Sequence, residues 1–181
     1  MNANLEQNNY VKVEEFLHPE LAQHLGLQFR KDCVERYTKS DSDVDHAPAI
    51  YMYPAFAQLL FAKVFFMNDF VGEKLYPTYA YSRWYQTGAE LKPHVDKQAC
   101  EISVSVNLYG DEWPIYMTTP SGEIAEVVLK PGDAVIYRGM RSRHWREKFK
   151  GKECIQVFLH YVKIEGPNVL HAFNLHGTDL S

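Results

Sequence analysis

Residues 76–108 read YPTYAYSRWYQTGAELKPHVDKQACEISVSVNL, and this stretch decides the fold. At both ends apolar and polar residues alternate with a period of 2, which marks β-strands. In the first run Tyr79, Tyr81, Arg83 and Tyr85 share one face, while Ala80, Ser82 and Trp84 share the other. Gln86-Thr87-Gly88-Ala89 turns the chain, and Leu91 to Asp96 follows. The last run puts Ile102, Val104, Val106 and Leu108 on an apolar face and Ser103, Ser105 and Asn107 on a polar one. Between the runs stands Lys92-Pro93-His94-Val95-Asp96. On an extended segment His94 and Asp96 point to the same side, so one imidazole and one carboxylate can reach a single cation.

Upstream, the polar residues 1–9 read as a frayed end and Tyr10 to Val13 as a short strand. His18-Pro19-Glu20 opens a helix, since proline fits the first turn and glutamate suits its positive end. Leu21, Leu25, Phe29 and Cys33 give that helix one buried stripe to about residue 36. Residues 38–48 are a polar loop. Pro54 to Phe70 reads as a second helix, with Phe56, Leu59, Leu60, Phe61, Val64 and Phe65 forming a broad face against a sheet. Downstream, residues 113–117, 123–129, 133–137 and 154–162 are strand candidates, divided by turn signals at Pro120-Ser121-Gly122 and Lys130-Pro131-Gly132-Asp133. Two helices followed by about seven short strands predict an α+β domain over residues 1–181, its strands closing into a jelly-roll-like sandwich or barrel. The segment 166–181 is weakly patterned and either packs across the barrel or stays mobile.

A chain of 181 residues can bury a substantial core without staples. Its net charge of −4 gives no bulk attraction for nucleic acid or an acidic membrane. Cys33, Cys100 and Cys154 are odd in number and widely spaced, forming neither a zinc-type pair nor a disulfide framework. No apolar run is long enough to span a bilayer, and the N-terminal residues lack a signal peptide's basic and apolar regions. These features predict a cytoplasmic protein.

A metal site needs a third ligand, and His144, fifty residues beyond His94, stands just before another strand candidate. Eight His and nine Asp in 181 residues give roughly 0.4 His-x-Asp pairs by chance, so the pair draws its weight from the turn and strands around it. The other histidines fall in or beside the first helix (His18, His24), in the polar loop (His46), in the tail (His171, His176) or in the last strand (His160), where an interior role suffices. Two imidazoles and one carboxylate on one face leave three coordination positions open, the arrangement of non-haem Fe(II) oxygenases.

With these residues in place, the chain resembles the Fe(II)- and 2-oxoglutarate-dependent dioxygenases, most closely the prolyl-4-hydroxylase-like branch. The resemblance rests on the run from Tyr79 to Leu108, on Lys130-Pro131-Gly132-Asp133-Ala134-Val135-Ile136-Tyr137, and on His144 with the strand after it. It implies a double-stranded β-helix flanked by helices, with His94, Asp96 and His144 as iron ligands and catalytic centre. It further implies that 2-oxoglutarate and O2 are cosubstrates, that Tyr85 reaches 2-oxoglutarate, and that Asn107 lies near its distal carboxylate. Relatives carry an Arg or Lys nine or ten residues past the distal histidine to pair that carboxylate, but here Glu153 and Cys154 stand there. Arg83 is the first substitute for that cation and Lys152 the second.

The basic stretch Arg138, Arg141, Arg143, Arg146, Lys148, Lys150 and Lys152 reads as a solvated rim, and Tyr79, Tyr81, Trp84, Tyr116 and Trp145 as barrel aromatics or a groove floor. The expected reaction is hydroxylation of an unactivated carbon, of a prolyl or other residue in a protein or peptide, with release of succinate and CO2. Two alternatives stand beside it: the same chemistry on a free amino acid or small molecule, and a non-catalytic cupin-like metal-binding or sensor module. Base-repair relatives use a pair of arginines after the distal histidine, and this sequence lacks that spacing, which leaves nucleic acid a minority reading.

Overall fold

The computed structural model describes residues 2–36, 38–40 and 44–174. Ten strands form two facing antiparallel sheets: β1 (Tyr10–Val13), β2 (Ala49–Tyr51), β3 (Leu75–Gln86), β4 (Leu91–His94), β5 (Ile102–Gly110), β6 (Ile115–Thr118), β7 (Ile124–Val127), β8 (Ala134–Tyr137), β9 (His144–Arg146) and β10 (Glu153–Lys163). The larger sheet runs β1-β8-β5-β10-β3-β2 and the smaller β4-β9-β6-β7. From β3 to β10 the chain crosses from one sheet to the other at every step except the β6-β7 hairpin, which makes a double-stranded β-helix of the expected α+β class.

The alternation of β5 and β10 organises both faces of the larger sheet. Ile102, Val104, Val106 and Leu108, with Ile155, Val157 and Leu159, point outward and are covered by helices α2 (Pro19–Glu35), α3 (Pro54–Ala62) and α4 (Val64–Val71). Ser103, Ser105, Asn107, Gln156 and His160 occupy the opposite face and are also buried, inside the barrel. A polar interior is costly unless its groups are hydrogen-bonded, so these side chains are bonded to one another and to loops. Gly26 lets α2 approach β5 closely: a Cβ there would stand 2.9 Å from Tyr109 Cβ and 3.2 Å from Leu108 Cβ.

Several elements differ from the sequence expectation. The polar N-terminus is ordered as helix α1 (Ala3–Asn8), capped by the Asn2 side chain and pinned by the fully buried Leu5. The stripe of α2 is Ala22, Gly26, Phe29 and Cys33, one position on from the leucine series, so Leu21 is exposed. The long second helix breaks at Lys63 into α3 and α4, and the break turns Phe61 and Phe65 outward while Phe56, Leu60, Met67 and Val71 fill the core. Strand β2 and the bridge between Ser40 and Pro48 lie beside the polar loop. In the tail, residues 169–171 form a 3₁₀ turn and Phe173 N–H bonds Pro77 O. His176 and the rest of the tail from 175, like the loop positions 41–43, lie outside the described residues. All three cysteines are buried and none is in a disulfide, and no described helix is long and apolar enough to cross a membrane.

Candidate metal centre

β4 belongs to the smaller sheet and pairs with β9, with His94 directly opposite His144. That register brings two imidazoles distant in sequence to a ring separation of 4.3 Å. Asp96 follows β4, and its backbone N–H is fixed to Gly139 O at 2.9 Å. Asp96 Oδ1 lies 3.6 Å from His94 Nε2 and 3.5 Å from His144 Nε2. A cation about 2.1 Å from each donor needs donors about 3.0–3.5 Å apart, so the three atoms fit one.

The tautomers agree with that reading. His94 Nδ1 is 2.8 Å from Lys92 O and His144 Nδ1 is 2.9 Å from Ser142 O, so each Nδ1–H donates to the carbonyl two residues back. Nε2 is then the ring atom that each imidazole turns toward Asp96 Oδ1 and could offer to a shared cation. Burial would push the Asp96 carboxyl up, but the bond to His94, the neighbouring His144 and His160, and the Ser103 hydroxyl outweigh it and hold it at about 2. Burial lowers His144 against the pull of Asp96. The His144 side chain is 3% exposed and that of His94 40%, so the site opens on the His94 side. A second trio, Asp96, Cys100 and His160, shares the carboxylate.

The centre lies at the base of a cavity of about 390 Å³ whose walls include Tyr79, Tyr81, Arg83, Tyr85, Tyr137 and Phe158. Tyr79, Tyr81, Arg83 and Tyr85 all come from one face of β3, as their spacing predicts. Tyr51 stacks on Tyr79 at 4.9 Å and extends this aromatic wall. Arg83 stands over the Tyr81 ring at 5.0 Å. Asn107 points into the barrel beyond the cavity and donates to Leu129 O at 2.8 Å. Lys152, by contrast, is exposed on the turn before β10, with its backbone N–H on Asp111; its position in sequence put it near the strand, but the strand begins one residue later. Trp84 faces the helices, and Tyr116 stacks on Trp145 at 5.7 Å along the smaller sheet, so neither side lines the cavity.

One residue the sequence reading assigned to the solvated rim lies inside the barrel. Arg146, two positions past His144 on β9, is 1% exposed. Its guanidinium donates to Trp113 O, and to Gln156 Oε1 at 2.7 Å, and stands over the Trp113 ring at 5.1 Å. Its Nε–H has no partner, and no carboxylate among the described residues pairs with it. Burial lowers its pKa, the direction expected of a cation removed from water. The available signal was parity: Arg146 shares its strand face with His144.

No protein-family model matches the sequence, and no curated protein matches it. Solved structures do. A Pseudomonas putida prolyl-4-hydroxylase superposes with a TM-score of 0.73 at 17% identity, over 88% of this chain and 95% of that one. HygX from Streptomyces hygroscopicus, with nickel and 2-oxoglutarate bound, gives a TM-score of 0.70 at 12% identity, over 89% and 85%. The viral collagen prolyl hydroxylase of Paramecium bursaria Chlorella virus-1, in its 2-oxoglutarate complex, gives 0.64 at 15%, over 86% and 97%. The likeness establishes a shared double-stranded β-helix fold.

Proposed function

We propose that this chain is an Fe(II)- and 2-oxoglutarate-dependent dioxygenase. The observation that carries the proposal is the convergence of His94, Asp96 and His144 on one point, with Nε2 of both rings turned toward Asp96 Oδ1. Fe(II) bound there would supply oxidation coupled to decarboxylation, one oxygen atom of O2 going to succinate and the other to the substrate carbon. The protein's part is to hold the three ligands, orient the dicarboxylate and keep water from the reacting centre.

The dicarboxylate needs a cation at its far end. We assign that role to Arg146 ahead of Arg83. Two residues along a strand is about 6.6 Å, and the terminal carbons of an extended five-carbon diacid are about 5 Å apart. A 2-oxo acid chelated beside His144 would span that distance toward the Arg146 guanidinium, which is buried behind the residues lining the cavity and whose Nε–H has no partner. Tyr85 packs edge-on against Trp113, the ring over which Arg146 stands, and Asn107 is linked through Cys154 to Gln156, the acceptor of Arg146. Arg83 and the Tyr51-Tyr79-Tyr81 wall line the cavity, and we assign them to the substrate.

The favoured substrate is a prolyl or other residue of a protein or peptide, because stacked tyrosines offer rigid faces to a ring or an extended chain. The second reading is a free amino acid or small molecule carrying an anionic group, which Arg83 and Lys97 on the cavity wall would hold. Incubating the protein with Fe(II), 2-oxoglutarate and panels of peptides and amino acids, and recording succinate together with a mass gain of about 16 Da, tests both. His94→Ala should abolish succinate formation and weaken Fe(II) binding. Unchanged turnover in that variant rejects the assignment, and metal and 2-oxoglutarate binding with no turnover on any panel leaves the sensor module in its place.

A further inference from the structure

The buried polar interior holds one chain of groups that neither the ligand set nor the cosubstrate site uses. Ser103 Oγ on β5 is 2.8 Å from Asp96 Oδ2, the carboxylate oxygen turned away from both imidazoles. The same Oγ is 2.9 Å from His160 Nδ1 on β10. Ser103 is fully buried and His160 6% exposed. Proton bookkeeping fixes the direction of this chain. The ionised carboxylate and the Cys100 carbonyl can only accept, and Ser103 has one proton, which goes to the nearer and charged acceptor, Oδ2 at 2.8 Å, rather than to Cys100 O at 3.3 Å. Ser103 must then accept from His160, which places the imidazole proton on Nδ1. Burial drives the His160 pKa down to about 4, in keeping with a neutral ring. A third wall closes on the same oxygen: a Cβ at Gly139 would stand 2.5 Å from Oδ2, so only glycine lets the carboxylate sit there.

We infer that Ser103 and His160 are positioning residues that hold Asp96 as a one-oxygen ligand. Oδ1 faces the two Nε2 atoms while Oδ2 is bonded to Ser103 and packed against Gly139. A carboxylate released from that hold can rotate and bind a cation through both oxygens. Bidentate binding fills a coordination position, and the proposed reaction needs three open ones, two for the 2-oxo acid and one for dioxygen. The hold thus protects the vacancy on which chelation depends. The trio Asp96, Cys100 and His160 offers the competing reading of a second cation site. Against it, His160 Nδ1 and Asp96 Oδ2 are both engaged by Ser103, and Cys100 Sγ is 3.0 Å from the Tyr79 hydroxyl.

The inference rests on the metal-centre reading above, and the test separates the two. Metal-free protein is titrated with Co(II), whose visible absorption reports coordination number, and 2-oxoglutarate is then added. Wild-type protein should bind one Co(II), and its spectrum should change on adding the 2-oxo acid; a wild type that does neither removes the metal-centre reading itself. Ser103→Ala and His160→Leu should each weaken Co(II) binding about tenfold or more and lose the response at a 2-oxoglutarate concentration that saturates wild type. His160→Asn, whose amide N–H replaces Nδ1–H, should restore both to within about threefold. If Ser103→Ala does not fold, the contrast between His160→Leu and His160→Asn carries the test, with melting curves showing that both are folded. Wild-type binding and response in His160→Leu, or no difference between it and His160→Asn, overturns the inference. So does a second Co(II) per chain that disappears in Cys100→Ser.

Discussion

Removing the charge of Arg146 separates two accounts of it. If the guanidinium is a structural strut for Trp113 O and Gln156, its loss leaves two buried acceptors unsatisfied and the fold should weaken by several kcal/mol. If it awaits an anion, the resting protein carries an uncompensated cation, and an apolar replacement relieves that cost. Arg146→Met is therefore expected to melt within about 4 °C of wild type without ligand, a difference near 1 kcal/mol for a chain of this size. Its apparent KM for 2-oxoglutarate should rise at least about tenfold, the worth of a charged hydrogen bond. Arg83→Ala should raise that KM less and change substrate KM more. The reverse ranking, read from steady-state succinate release, would move the carboxylate partner to Arg83. The residue scale is where the sequence was least legible here. Arg146 sits in a run of seven basic residues that looks like one solvated patch, and only strand parity with His144 distinguishes it.

Among the elements, β5 explains why so much else could be read. Its uninterrupted alternation fixed both faces, and the pairing of Ser103 with Tyr137 and His160 follows from that register. Alternation says which residues share a face, yet not which face meets solvent. Here neither does, since helices cover one and the second sheet covers the other. The helices were less legible because a period of 3.6 tolerates a shift of one residue: in α2 Phe29 and Cys33 are buried as expected, but Ala22 and Gly26 take the positions facing the sheet, Leu25 only flanks the core and Leu21 is exposed. That choice has a measurable cost. Gly26→Ala gains up to about 1 kcal/mol of helix propensity but drives a Cβ to 2.9 Å from Tyr109 Cβ, an atom that cannot swing aside. Overpacking of this kind costs typically 1–3 kcal/mol. The net result should be a Tm lowered by a few degrees with metal binding intact, and a raised Tm would show that α2 has room to lift off β5.

In the whole molecule the largest apolar layer lies between the helices and the larger sheet, while the space between the sheets combines an apolar cluster (Ile115, Met117, Val127, Leu129, Val135 and Tyr137) with a set of buried polar groups. Such an interior survives only while its groups hold their protonation states, and stability should therefore depend on pH. His160 is the clearest case: its folded pKa is near 4, through burial first, with Lys97 and His144 adding and Asp96 opposing, against about 6.5 unfolded. Between those values the unfolded chain binds the extra proton, so stability rises with pH. The contribution is fully present above about pH 6.5, is lost as pH falls towards 4, and amounts to about 3 kcal/mol. His144 is shifted in the same direction by its burial and adds to the loss of stability as pH falls below its ordinary range. Metal-free protein unfolded in urea at successive pH values from 7 to 4 should lose stability steadily, with an unchanged m-value marking an effect on stability rather than compactness. His160→Asn, which cannot titrate, should flatten that slope over the same window. An equal slope in the variant would mean that the acid sensitivity of the fold arises elsewhere, and that His160 already shares solvent in the native barrel.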